Sequence, residues 1–269
     1  MVKKLYKHEF MAWLRIMPFF FVIPLVTAGF HRILQLFEAD SVVYEIVSGS
    51  TILLFIVTLF VCLSAPTVYG IVRFYKNLFT GEGYLSFTLP VKNTTHLWVK
   101  TLTNLVFHVA AFLACIASFL VITSGEVLAE LWDSGIFLWK MLPAEDCYHV
   151  AGFFAEFCVL MLASILFSIL LFYSCLCIGQ LAKKNRILLS VGVYFAYYVI
   201  SQICSTVFMI FFSILSTSGA LDSVFVFVEE HPYAFTHITF GSSILIYVVM
   251  ALVLWLVCRF ILQKKLNLE

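Results

Sequence analysis

Residues 50–72 read STILLFIVTLFVCLSAPTVYGIV, a run of 23 residues without a charged side chain. Crossing a bilayer as an α-helix takes about 20 mainly apolar residues, so this run is long enough to span a membrane. The run is continuously apolar, whereas a strand of a membrane barrel would alternate apolar and polar residues. The pattern therefore favours a helix. Runs of this kind cover residues 16–37, 50–72, 98–122, 150–179, 187–216 and 236–262.

The composition agrees with an all-α membrane protein of six transmembrane helices. The chain is 63% hydrophobic and 12% charged, whereas soluble proteins average about 25% charged residues. A soluble domain of 269 residues lacks the polar surface to cover so much apolar side chain. No linker divides the sequence, which predicts a single transmembrane domain over residues 1–269. No stripe of Lys and Arg with interleaved aromatics indicates a nucleic-acid partner.

The basic residues predict the orientation. Of the 16 Lys and Arg residues, 14 lie at the two termini or in alternate gaps between the runs, and only Arg32 and Lys140 lie in the other gaps. Cytoplasmic segments of membrane proteins are enriched in Lys and Arg. The sequence therefore predicts a multi-pass protein of the cell (plasma) membrane with its N and C termini in the cytoplasm.

The segments outside the runs carry three further predictions. Residues 1–15 place Tyr6, Trp13 and other apolar residues at helical spacing between lysines, which predicts an interfacial elbow helix with both aromatics at headgroup depth. The outer segment 123–149 is long, and its apolar residues 136–139 predict a short interfacial helix. The outer segment 217–235 is too short to span but apolar enough to dip into the outer leaflet, so we expect a re-entrant segment.

The inner loop, residues 73–97, contains the string GYLSFTLPV at residues 83–91. This string resembles the cytoplasmic loop of permease subunits of the ABC-2 class (type V ABC exporters), particularly those of Gram-positive bacteria. The elbow helix, the six spans and the last outer segment are similar to that family as well, whereas the long segment 123–149 departs from it. The resemblance implies that the inner loop is a coupling loop that docks on a separate ATPase. Its contact residues would be Phe79, Glu82, Tyr84, Leu85, Phe87, Leu89 and Pro90.

The resemblance implies the transmembrane permease subunit of an ATP-binding-cassette exporter. Such a subunit moves an amphipathic substrate, such as a peptide, a lipid-linked compound or a drug, outward with ATP and Mg bound to a cytoplasmic ABC ATPase subunit. A second permease copy would complete a homodimer or heterodimer. The chain itself has no Gly-x-x-x-x-Gly-Lys-[Ser/Thr] string, the phosphate cradle of many nucleotide-hydrolysing enzymes. We expect no catalytic residue, no metal site and no cofactor in this chain.

Ionisable residues inside the runs are candidates for function, because a charge within the bilayer costs several kcal/mol. Two qualify: His108, interpreted as a hydrogen-bonded packing residue, and Glu156, interpreted as a carboxylate at the outer boundary of the fourth span. We expect no cluster of ionisable residues at one depth, which argues against an intramembrane enzyme. That enzyme and a six-pass, substrate-capturing membrane subunit of an importer remain the alternatives.

The fifth run carries weakly polar residues at helical spacing. Such a stripe either binds neighbouring helices together or lines a path that excludes lipid. Both interpretations stay open, with the path placed at a dimer interface. The candidate pathway-lining residues are Ser190, Tyr194, Tyr197, Ser201, Gln202 and Ser205.

Overall fold

The computed structural model describes residues 2–37, 41–80, 93–123, 125–141, 143–182 and 184–264. Throughout these ranges the regular structure is α-helical, and no strand occurs in them. Six stretches are long and apolar enough to cross a membrane, which confirms the predicted all-α, six-span class. The helices are α1 (Val2–Leu14), α2 (Met17–Gln35), α3 (Val42–Phe79), α4 (Asn93–Ile122), α5 (Gly125–Met141), α6 (Ala144–Gly179), α7 (Arg186–Thr217), α8 (Asp222–Glu230) and α9 (Pro232–Lys264).

The helices extend beyond the apolar runs. The 38 residues of α3, at 1.5 Å each, make a helix about 57 Å long, whereas the hydrocarbon core of a bilayer is about 30 Å thick. The helix begins at Ser41, whose hydroxyl accepts a hydrogen bond from the backbone N–H of Tyr44 at 3.2 Å and so caps the first turn. Hydropathy marks only the part of a helix that lipid surrounds, so the polar end turns were missed.

The chain divides into two compact units, Met1–Pro143 and Ala144–Glu269. In the first unit, α2 packs on α3 and α4, and α1 packs on α4 and α2. In the second unit, α6 packs on both α9 and α7, and α8 contacts α9. The single transmembrane domain remains a prediction.

Helix α1 is attached to the first unit through its aromatic face. Trp13 is 1% exposed and belongs to a buried cluster with Met17, Ala65 and Phe107. Its ring stacks on Phe107 at 5.1 Å and meets Tyr69 edge-on at 4.8 Å. The predicted helix is present, and protein side chains cover Trp13; the depth of this helix in the membrane remains a prediction. An amphipathic pattern shows which face is apolar and does not show whether lipid or protein covers that face.

Two helices lie in the predicted outer segments. Helix α5 has 17 residues and includes the predicted stretch 136–139, so the helix is longer than its apolar centre suggested. Helix α8 has nine residues and lies within 217–235. It follows Gly219, whose φ of +73° is readily adopted by glycine. The interfacial and re-entrant positions of these helices remain predictions.

The predicted orientation can be tested by thiol labelling. A membrane-impermeant maleimide applied to intact cells should label Cys147, which lies outside the apolar runs and in no disulfide, and should spare a Ser86→Cys variant at position 86. Position 86 should become reactive only after permeabilisation. A Cys147→Ser variant is the control that identifies the labelled thiol. Labelling of position 86 from outside, with Cys147 protected, would reverse the orientation.

Candidate functional site

The predicted coupling residues lie mostly outside the described part of the chain. Of these residues only Phe79 is described, whereas the remainder fall within 81–92. Phe79 is the last residue of α3 and packs edge-on against Phe74 at a centroid distance of 5.7 Å. Only 9% of it is exposed, so its ring supports the end of its own helix. The roles of Glu82, Tyr84, Leu85, Phe87, Leu89 and Pro90 remain predictions.

Both helices that flank the inner loop are bound to α1 by one carboxylate. Arg73 of α3 donates from Nε to Glu9 Oε1 at 2.6 Å and from Nη2 to Glu9 Oε2 at 3.1 Å. Lys100 of α4 donates from Nζ to Glu9 Oε1 at 3.2 Å. We refer to Glu9, Arg73 and Lys100 as the Glu9 cluster. Three helices therefore share one ionic contact, within about two turns of the C-terminal end of α3 and the N-terminal end of α4.

The Glu9 cluster is largely removed from solvent. Glu9 and Lys100 are each 6% exposed, and the side chain of Arg73 is 17% exposed. Buried ions need partners because the desolvation penalty is several kcal/mol per ion. The hydroxyl of Tyr69 adds a 3.3 Å hydrogen bond to the carbonyl oxygen of Ala12, close to the cluster. The inner ends of α3 and α4 are therefore held on α1 by contacts that are costly to break.

The Glu9 cluster was not predicted from the sequence. Arg73 and Lys100 were used only to predict which side of the membrane the loops occupy, and no role was predicted for Glu9. One signal was available: Glu9 is the only acidic residue in the first 37 positions. It also lies four residues before Trp13, and residues at that spacing share one face of a helix. A lone acid on the buried face of a basic helix indicates a partner elsewhere in the fold.

His108 has the hydrogen-bonded packing role that was predicted for it. Its Nδ1 lies 2.9 Å from the carbonyl oxygen of Asn104, so Nδ1 carries the proton. Its Nε2 lies 3.0 Å from the hydroxyl of Thr67 on α3, and in the neutral ring Nε2 is the acceptor. Both ring nitrogens are satisfied, and the side chain joins α4 to α3.

The polar stripe of α7 divides into two parts. Ser190 is buried and donates to the carbonyl oxygen of Arg186 at 3.0 Å, while Tyr194 stacks on Phe172 of α6 at 5.1 Å. Tyr197 lies 6.4 Å from Phe167, also on α6. These three members pack the helix against its neighbour, as the helix-packing interpretation predicted.

The remaining residues of the stripe are mostly exposed to solvent or lipid. Ser201 is half-buried and donates to the carbonyl oxygen of Tyr198 at 2.8 Å, whereas Gln202 and Ser205 are exposed. If any part of α7 faces a second subunit or a substrate, these exposed residues are the candidates. Their pathway-lining role remains a prediction.

A third site lies in the second unit, where α6 and α9 bring together three ionisable side chains. Glu156 Oε1 lies 2.8 Å from Nδ1 of His237, and Nε2 of His237 lies 3.0 Å from Nδ1 of His149. We refer to these three residues as the histidine chain. Tyr233 stacks on His149 at 4.6 Å with an interplanar angle of 9°. The expectation that no ionisable residues cluster was therefore wrong.

Local packing explains how the histidine chain fits between two helices. Gly152 faces His237, and a Cβ at that position would lie 3.1 Å from Cε1 of the imidazole. The ring of Phe153 lies 4.5 Å from that of His237 and covers it on another side. His149 and Glu156 are seven residues apart, two helical turns, which places both on one face of α6. That spacing was visible in the sequence, whereas the contribution of α9 was not.

The hydrogen bonds of the histidine chain allow a proton to move along it. With Glu156 ionised, His237 donates from Nδ1 to the carboxylate, and its Nε2 accepts from Nδ1 of His149. A proton that arrives at Nε2 of His149 can release the Nδ1 proton to His237, which then passes its own Nδ1 proton to Glu156. Within the described residues, no group of three or more His, Cys, Asp or Glu side chains has a geometry suited to a metal ion.

The fold defines a polytopic α-helical membrane protein with a basic, ion-paired N-terminal elbow. Comparison of the chain with protein-family models, with curated proteins and with solved structures finds no match. A functional assignment therefore depends on the chain's own residues.

Proposed function

We propose that this protein is the transmembrane permease subunit of an ATP-binding-cassette exporter. The observation that carries the proposal is the inner loop, whose string GYLSFTLPV at residues 83–91 resembles ABC-2 coupling loops. The six candidate spans and the N-terminal elbow helix agree with that class. The chain has no phosphate cradle of its own, so ATP and Mg would be bound by a separate cytoplasmic ATPase.

The Glu9 cluster links the two helices that flank the inner loop to α1. A loop that receives force from a partner transmits it only if its flanking helices move together. Arg73 and Lys100 bind the same carboxylate, so displacement of the loop acts on α3, α4 and α1 at once. In the proposed mechanism, closure of the ATPase biases the membrane helices between two arrangements, because the partner binds one arrangement better than the other.

The proposed assembly contains two permease copies, with the substrate path between them. Gln202 and Ser205 of α7 are exposed polar groups on a helix whose exposed side chains are mainly apolar, which suits a surface that contacts an amphipathic cargo. A peptide, a lipid-linked compound or a drug could bind to such a surface, since each combines apolar area with a few polar groups.

An intramembrane enzyme is the second candidate, and the histidine chain is the observation that favours it. Glu156 and His237 form a carboxylate–imidazole pair 2.8 Å apart, an arrangement that acid–base catalysis uses. The two candidates differ in what they need: the exporter subunit requires a soluble ATPase, whereas the enzyme requires none. Recovery of an ATPase with the protein therefore separates them.

The exporter proposal predicts that the protein purified from its native membrane in mild detergent retains a soluble ATPase. Replacing Tyr84 and Phe87 together by Ala should lower the recovered ATPase at least tenfold, because buried aromatic anchors often contribute about 2 kcal/mol or more each to an interface. Quantitative mass spectrometry of the purified complex measures the ratio.

The matched control removes two aromatic side chains from the predicted outer side. Trp132 and Phe137 of α5 are exposed, and their replacement by Ala should leave the ATPase ratio unchanged. Absence of any ATPase from the wild-type preparation would contradict the proposed function. A Tyr84→Ala/Phe87→Ala variant that keeps its ATPase at the wild-type ratio would contradict the docking role of the inner loop.

A further inference from the structure

Helix α7 carries an unpaired amide in the middle of a candidate span. Gln202 lies at the centre of the 32 residues of α7, so each end of the helix is about 24 Å away along its axis. The side chain is exposed and makes no hydrogen bond to any residue that the structure describes. Because the hydrocarbon core of a bilayer is about 30 Å thick, an amide at its centre is too deep to reach water or lipid headgroups.

Lipid alone leaves this amide unsatisfied. Acyl chains offer neither donors nor acceptors, so an unpaired polar group among them is strongly unfavourable. Polar side chains of membrane helices therefore form hydrogen bonds to other helices. Within its own unit α7 packs on α6 through a different face, to which Tyr194 and Tyr197 belong. The amide of Gln202 is left for a partner beyond this unit.

Gln202 also lies at the centre of a series of exposed residues on one face of α7. The residues follow one another at alternating steps of four and three, the spacing at which two helices pack side by side with interlocking side chains. A single polar residue in such a series fixes how the two helices align, because a shifted alignment would leave it unpaired. We refer to the series as the α7 seam. Its members are Val191, Phe195, Tyr198, Gln202, Ser205, Met209 and Phe212.

A second copy of this chain has the complementary group at the required depth. A carboxamide has both an acceptor oxygen and N–H donors. Two copies inserted in the same orientation are related by a two-fold axis along the membrane normal, so the two Gln202 side chains meet at one depth. Each amide then donates to the other, which forms two hydrogen bonds. Ser205 lies one turn further along and is small enough to allow the helices to approach closely.

We propose that two copies of this chain dimerise through the α7 seam, with the two Gln202 amides hydrogen-bonded to each other. The proposal names the contact between the two copies of the proposed exporter and in that respect rests on the proposed function. Cargo would contact the polar groups of the seam only after the two helices separate. The second copy completes the hydrogen bonding of a group that one copy leaves unpaired.

Cysteine cross-linking in the membranes of the expressing cells tests the seam. Two differently tagged copies are co-expressed, each with the exposed Cys158 and Cys204 replaced by Ser. Mild copper-catalysed oxidation should join the two tags in the Ser205→Cys variant, because the two positions face each other across the axis. Val207→Cys is the matched control, since Val207 is exposed on the opposite side of α7 and should not cross-link. Equal cross-linking at both positions, or no link between the tags at position 205, would overturn the proposal.

Substitution of Gln202 tests the hydrogen bonds. The full chain, labelled with donor and acceptor fluorophores, is reconstituted in liposomes at decreasing ratios of protein to lipid, and energy transfer gives the dissociation constant of the dimer. Gln202→Leu should raise this constant about tenfold, because two interhelical hydrogen bonds are lost. Gln202→Asn keeps the amide and should dimerise more tightly than Gln202→Leu. Both variants should keep the wild-type thermal midpoint. A Gln202→Leu protein that dimerises like wild type would contradict the proposal.

Neither measurement requires an ATPase. Failure of the chain to dimerise, with an ATPase still recovered from the native membrane, would overturn the seam and leave the exporter proposal standing. Dimerisation through the seam, with no ATPase recovered, would support the seam and contradict the exporter.

Discussion

Replacing Glu9 by Gln is expected to lower the thermal midpoint of the purified protein by about 10 °C. The substitution keeps the size of the side chain but removes the charge that pairs with Arg73 and Lys100. Breaking a buried ion pair by removing one partner typically costs about 3–5 kcal/mol, because the remaining ions lose the carboxylate that offset part of their desolvation. In a chain of this size each kcal/mol shifts the midpoint by roughly 2–4 °C.

The matched control for Glu9 is Glu130→Gln. Glu130 is exposed on α5, so the same chemical change should move the midpoint by less than 2 °C. A double variant, Glu9→Gln with Lys100→Met, should recover part of the loss because one of the two buried cations that lose Glu9 is removed together with the carboxylate. Differential scanning fluorimetry in detergent measures all three proteins. A Glu9→Gln protein that melts within 2 °C of wild type would show that the cluster does not hold α1 in place.

Replacing Gly179 by Ala should separate the C-terminal end of α6 from the N-terminal end of α7. A Cβ on Gly179 would collide with the hydroxyl of Ser190 and lie 2.7 Å from the carbonyl oxygen of Arg186. A side chain can rotate away, but a backbone carbonyl in the first turn of α7 cannot move without shifting the helix. Forcing extra atoms into such a contact costs typically 1–3 kcal/mol, and the backbone collision places this site at about 3 kcal/mol.

Gly192 provides the matched control on the same hairpin. A Cβ on Gly192 meets no atom within 4 Å, so Gly192→Ala should leave stability unchanged or raise it by up to about 1 kcal/mol through helix propensity. Thermal midpoints and the yield of monodisperse protein distinguish the two variants. Equal behaviour of Gly179→Ala and Gly192→Ala would mean that α6 and α7 do not approach closely at this point.

The membrane spans could be predicted from the sequence because lipid imposes a simple requirement. A helix that crosses hydrocarbon needs a long run of apolar residues, and such runs stand out in the sequence. The ends of the helices could not be predicted in the same way. Val42–Phe79 extends well past the predicted run at both ends, because the Ser41 side chain caps the helix upstream of the run and hydropathy does not mark where helical hydrogen bonding ends.

The ionic contacts could not be predicted because their members are far apart in the chain. Glu9 lies 64 positions from Arg73 and 91 from Lys100, and Glu156 lies 81 positions from His237. A single sequence reveals which residues share a face of one helix, as His149 and Glu156 do, but not which face of another helix they meet. The enrichment of Lys and Arg in cytoplasmic loops makes Arg73 and Lys100 indicators of orientation. In the structure both side chains form ion pairs with the buried carboxylate of Glu9.

The length of α3 has a mechanical consequence. In a helix of 38 residues, about 57 Å long, a small angular movement at one end produces a large displacement at the other. A tilt of about 10° sweeps the far end through about 10 Å, which is close to the full diameter of a helix with its side chains. In the proposed exporter, a small displacement of one end of α3 would therefore exchange one set of neighbours for another at the opposite end, while the hydrogen bonds of the helix stay intact.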